Sequence, residues 1–190
     1  MYETKQSETE PLEAEGQLAE LDHRPQDAAR AYLDAIRLGH ECSRGGVIID
    51  SLVGISIQAI GLTPLEKLKP SLDAKQCREV AVALEDIDSR REPINEVLQQ
   101  EKAWVRATYG WKTTFLQIIS FRQIHASRQK YLNRMANIQK QTETASLDFA
   151  ARGYELEHAE KAKSAKNLTP GYLKAIPKDT TTGKSLTINQ

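Results

Sequence analysis

The sequence predicts an all-α fold: an elongated helical bundle of about six to seven helices, with one long C-terminal helix and a short loop or β-hairpin tail. Apolar residues recur at helical spacing along most of the chain, and prolines and glycines fall where helices would start and stop. Hydrophobic residues make up 39%, charged residues 27% and aromatics only 6%. That balance suits helices with one buried stripe better than a thick-cored enzyme. The expected organisation is a helical domain over 1–166 and a clasp or tail over 167–190. Within the domain lie a helix pair (1–44), central helices (46–108) and a long helical segment (112–166).

Ser7-x-x-Glu10 has capping-box spacing, so the first helix is expected after Ser7, with Pro11 tolerated in its first turn. Pro25 ends that helix at "DHRP" and opens the next, "PQDAARAYLDAIRLGHEC". Leu12, Gly16 and Ala19, followed by Ala28, Tyr32 and Ala35, resemble one tetratricopeptide hairpin, in which small residues admit an aromatic between antiparallel helices. No second copy follows at a 34-residue offset.

"SRGG" (43–46) breaks the helical pattern. The helix from Val47 is apolar over most of its circumference, which predicts the buried centre of the domain. The run Val47–Leu62 is too short to span a membrane, Gly61 and Pro64 bend or restart the helix, and Pro70 ends it. Asp73 with Gln76 caps a helix whose inner face is Val80, Ala83, Leu84 and Ile87. Pro93 opens another, with Ile94, Val97, Leu98 and Trp104 or Val105 inward. After "TYGW", the apolar run "FLQIISF" precedes the longest helix. Its rows are Ile124, Tyr131, Ile138, Ala145 and Met135, Thr142, Phe149, Leu156, interrupted by Arg128 and Arg152, and a neighbour should pack antiparallel to it. That helix should end in "HAEKAKSAK".

The formal net charge of zero hides a gradient. Residues 1–27 carry eight acids against two bases, whereas residues 102–142 carry eight bases and no acid. The basic stretch interleaves Trp104, Tyr109, Trp111, Phe115, Phe121 and Tyr131, a pairing suited to phosphates or a lipid interface. Lys102, Arg106, Arg122, Arg128, Lys130 and Arg134 form the candidate anion-binding face. The competing expectation is that the acidic N-terminal helices neutralise this face, or that it is simply solvated.

Catalytic patterns are weak. Glu20–His23 and Glu155–His158 have the Glu-x-x-His spacing of di-iron bundles, yet solvated polar faces explain both pairs. Cys42 and Cys77 have no ligand spacing, and "TTTGKS" lacks the first glycine of a phosphate loop. No catalytic, cofactor or metal residue is assigned. The expected protein is a non-enzymatic scaffold without a cofactor. Its expected partner is another protein, with nucleic acid or an anionic membrane as the alternative and self-association through the long helix a further route. The start has no secretory h-region, which suggests the cytoplasm, or the cell envelope if an anchor precedes Met1.

Residues 144–186 resemble the end of a group of uncharacterised bacterial helical proteins. The residues that carry this are Tyr154, Glu157, His158, Leu168, Pro170, Tyr172, Leu173, Pro177, Asp179, Gly183 and Leu186, and "IRLGHE…LVGISIQAIGLTPLEKL" is similar to that group's central region. More loosely, the tail resembles that of type II secretion pseudopilins, where it follows a long helix and packs on it. Thr180 replaces that pattern's proline, and Asp179 is the sole acid after Glu160, so no calcium site is carried over. The tail is expected to clasp the long helix, with Tyr172 and Leu173 buried and 180–182 paired with 185–188.

Overall fold

The computed structural model describes the backbone of residues 2–110, 112–177 and 185, and the side chains of 11–110, 128–177 and 185. Among them are six α-helices: α1 (Tyr2–Leu21), α2 (Pro25–Ser43), α3 (Ile48–Leu68), α4 (Ala74–Ser89), α5 (Ile94–Tyr109) and α6 (Lys112–His158). Short 3-10 turns follow α3 (Lys69–Ser71) and α6 (Ala165–Leu168). The all-α bundle is as expected. The tail hairpin lies outside the described residues.

α1 starts earlier than its capping pattern suggests, and Pro11 sits inside it. Pro11 is exposed, so water can serve the carbonyl that its missing N–H leaves free. The chain then turns through His23, held at φ 56°, into α2, where Pro25 fits the first turn because its absent N–H would be unpaired there anyway. Gly16 of α1 lies under the Tyr32 ring, whose hydroxyl donates to Glu20. Burial and that carboxylate push the Tyr32 phenol well up.

α3 corrects two expectations. It does not restart at Gly61 or Pro64, and it is not enclosed. Its inward residues include Ser51, Gly54, Gln58 and Gly61, while Ile49 and Ile60 are 47% and 37% exposed. The cause is close packing against α2. A methyl on Gly54 would lie 2.4 Å from the Gly39 carbonyl oxygen, and one on Gly61 would lie 2.6 Å from that of Tyr32. Backbones this near admit only small residues between them, which leaves larger aliphatics on the outer side. Ile48–Ser71 is also the one described helical segment long and apolar enough to cross a membrane by length and composition, because Pro64 does not shorten it.

Asp73 and Gln76 form the expected reciprocal cap of α4, at 2.8 and 2.9 Å. Val80, Leu84 and Ile87 are buried, together with Cys77 and Ala81, whereas Ala83 is half-buried. Burial pushes the Cys77 thiol up to about 11, which leaves it a packing residue.

α6 is 47 residues long, so the "FLQIISF" run belongs to it rather than preceding it. At 1.5 Å per residue it spans roughly 70 Å. Tyr131, Met135, Ile138, Thr142, Ala145 and Phe149 are buried as the two rows require. The side chain of Ile124 lies outside the described residues, and Leu156 is 40% exposed. α4 packs antiparallel on the C-terminal half: Ser146 Oγ donates to the Ala81 carbonyl at 3.0 Å, and Gly153 faces Ala74 and Cys77.

α6 stops at His158, the first residue of "HAEKAKSAK", because Ala159 takes φ 54° and turns the chain back. Ala162, Ala165 and Leu168 then enter the core, which outweighs the helical propensity of that charged run. Tyr172 and Leu173 are buried as expected. The tail backbone is held by Glu85, whose carboxylate accepts the Lys174 and Ala175 N–H groups at 2.9 Å each. Of the 180–182 and 185–188 pairing only Ser185 is among the described residues, in an isolated bridge.

Candidate interaction surface

Past Leu98 no residue of α5 is buried, so α5 leaves the core after its first turns and meets α6 through Gly110, at φ 57°. Its base is fixed by two carboxylates. Glu92 accepts from the Gly45 N–H at 3.0 Å, and Glu101 accepts from the Ile48 N–H at 3.0 Å, supplying one of the partners that the first turn of α3 lacks. The result is a helical hairpin arm with a stiff root.

Lys102 and Arg106 are exposed on this arm. With Tyr109 they stand at i, i+4 and i+7, one stripe of α5. Trp104, expected inward, is 50% exposed and meets the equally exposed Tyr109 edge-on at 6.4 Å, while Val105 is half-buried. Beyond Glu101 no described residue of α5 is fully buried, so the core ends before Trp104. On α6, Lys130 and Arg134 are exposed and Arg128 is half-buried. Helical geometry sets Arg128 about 160° around the axis from Lys130. The six predicted cations therefore do not line a single face, and the side chain of Arg122 lies outside the described residues.

Among the described residues, Lys102, Arg106, Arg128, Lys130 and Arg134 make no ion pair. The N-terminal acids find other partners. Asp22 and Asp27 pair with Arg24 at 3.0 and 2.7 Å, Glu13 accepts from Gln17 and Glu20 from Tyr32. The arm's charge is thus not neutralised by the acids of 11–27.

The Glu-x-x-His pairs are also separated in their contacts. Glu155 pairs with Arg152 at 2.9 Å, and His158 stacks on Tyr154 at 4.1 Å. No three His, Cys, Asp or Glu side chains form a possible metal set among the described residues.

Sequence reasoning missed a polar region beneath the arm's root. An open cleft of about 530 Å³ is lined by Arg44, Gly45, Ser89–Pro93 and Glu96. Its arginines are engaged: Arg44 with Glu41 at 3.2 Å, Arg90 with Asp86 at 2.7 Å and Arg91 with Asp88 at 2.9 Å. Arg91 also reaches Gln58 Oε1 at 3.4 Å. Behind it, His40 Nε2 and Gln58 Nε2 are buried without hydrogen-bond partners, while the buried Ser51 and Tyr131 hydroxyls face each other. Orphaned polar atoms lower stability, by about 1–3 kcal/mol each.

His40 has a testable consequence. Burial, reinforced by Arg91, holds its imidazole below the ordinary histidine value against the weaker pull of Glu41. The unfolded chain therefore binds this proton more readily, and stability falls as pH drops from about 6.5 through the depressed value. Melting curves across that window should show the loss, and His40→Gln should flatten it. An identical pH slope in the variant would assign the loss to other groups.

No protein-family model matches the chain, and no curated protein and no solved structure matches it.

Proposed function

We propose that this protein is a non-enzymatic helical interaction module, a scaffold whose contact element is the α5–α6 arm. The observation that carries this reading is the arm itself: an α5 with no fully buried residue after Leu98, ending in an exposed Trp104–Tyr109 pair. Folding gains little from such an element, so its exposed side is available for binding. The α1–α2 pair, with Tyr32 over Gly16, supports the tetratricopeptide-like reading and offers a second protein-binding element. The tail's likeness to pseudopilins favours a place at the cell envelope.

A photo-crosslinking residue at position 104 of the full chain, in its native host, should give defined adducts. The same group at Lys75, 82% exposed on α4, should give few. Equal labelling from both positions would remove the arm as the contact element.

A second reading, binding to an anionic polymer or surface, is favoured by one observation: Lys102, Arg106, Arg128, Lys130 and Arg134 have no ion pair among the described residues. Its signature is retention on a polyanion that falls steeply with salt.

A further inference from the structure

We propose that the arm docks on an anionic lipid bilayer, with Trp104 and Tyr109 entering the interface and Lys102 and Arg106 meeting the headgroup charge. The inference rests on the arm being the contact element and names what it contacts. Three observations select a bilayer. The first is the placing of the aromatics: both stand half-exposed in the last turns of α5, beside the Gly110 turn, rather than along a groove. Amphipathic rings at the end of a projecting element suit the boundary between headgroups and acyl chains.

The second is the arrangement of charge. Lys102 and Arg106 share the Tyr109 stripe, and Trp104, which leaves α5 about 160° from them, reaches round to the Tyr109 ring at 6.4 Å, whereas Arg128 and Lys130 lie on different sides of α6. A nucleic-acid channel would instead range its cations along one groove that tracks the phosphates. The whole stretch 102–142 contains no acid, so nothing along it repels an anionic surface.

The third is continuity. Glu101, which holds the Ile48 N–H, lies one turn before Trp104, so the exposed stripe of α3 starts at the arm's root. That stripe carries Ile49 and Ile60, with half-buried Val53 between them. The aliphatic stripe thus begins where the arm is rooted.

The test uses the full chain with vesicles of phosphatidylcholine alone and of phosphatidylcholine mixed with phosphatidylglycerol, followed by flotation. Trp111→Phe leaves Trp104 as the sole fluorescent reporter. Binding to the anionic vesicles alone, lost at high salt and accompanied by a blue shift of Trp104 emission, is the expected result. Lys102→Gln with Arg106→Gln should weaken it roughly thirtyfold, at about fivefold per surface cation. Trp104→Ala with Tyr109→Ala should weaken it as well, with an unchanged melting temperature because both side chains are exposed.

Lipid-free heparin and duplex DNA are the controls. Arm-dependent binding to these without vesicle binding overturns the bilayer and leaves the arm as the contact element. Vesicle binding that survives both double variants also overturns the proposal, because it places the contact elsewhere. Binding to neither polyanion nor vesicle ends the lipid proposal, and the crosslinks from position 104 then decide the arm independently.

Discussion

Gly54→Ala should lower the melting temperature by about 4–8 °C, although alanine is the better helix former by about 1 kcal/mol. The new methyl would lie 2.4 Å from the Gly39 carbonyl oxygen and 2.8 Å from Ser43 Cβ. Neither obstacle is the movable end of a side chain, so α2 and α3 must separate. Forcing a methyl into a packed interior costs about 1–3 kcal/mol, and the upper end applies where backbone blocks it.

Gly39→Ala meets the Gly54 carbonyl at 2.6 Å and the Gln58 nitrogen at 2.7 Å, so it should behave alike. Both substitutions open the same contact, and the double variant should lose less than the sum of the two. Gly171→Ala is the control, since nothing lies within 4 Å of the added methyl. An unchanged melting temperature for Gly54→Ala would show that the helices do not approach this closely.

These glycines explain what could and could not be read from the chain. Asp73 and Gln76 were legible because a capping box is local and its geometry follows from spacing alone. The rows from Tyr131 to Phe149 were legible because their period matches one helix face. α3 was not, since a helix apolar on every side does not say which side a partner will take. The answer lay in Gly54 and Gly61, and it required knowing that Gly39 stood opposite. A glycine read alone suggests a bend. Facing another across a helix pair, it marks close approach.

The candidate surface divides in the same way. Lys102 and Arg106 were visible as part of an acid-free stretch. The exposure of Trp104 was not, because periodicity gives a helix its apolar face without saying where the core ends along the axis. Cleft and polar core depend on contacts over long sequence separations, such as Arg91 with Gln58, and no spacing encodes them. Pattern reports local geometry. Depth and partnership are tertiary.

Tyr172→Ala combined with Leu173→Ala should destabilise the protein by about 5 kcal/mol or more, as expected for losing two buried large side chains. Leu173 is 1% and Tyr172 5% exposed. The Tyr172 ring lies edge-on to Tyr154 at 5.7 Å, and the Arg78 guanidinium sits 4.8 Å from its centroid. Its hydroxyl donates to Glu157, which Arg78 also contacts at 2.7 and 2.9 Å. The Tyr172 hydroxyl, with Arg78, holds the Glu157 carboxyl below its ordinary value. That contribution is present above the ordinary glutamate range and is lost as pH falls through the depressed value. Glu157 is exposed, so salt should shrink the effect.

The two kinds of contact can then be separated by experiment. Tyr172→Phe keeps the buried ring and removes the hydroxyl, so it should reduce the acid-side loss while preserving most of the stability. Truncation after Asn167 removes both contributions together with Leu168, which is fully buried. It should lower the melting temperature sharply and expose the end of α6 to proteases. If the truncated chain melts and resists digestion like the full one, the core does not depend on the tail. The apolar residues at 168, 172 and 173 would then be free to serve as a docking peptide for another protein.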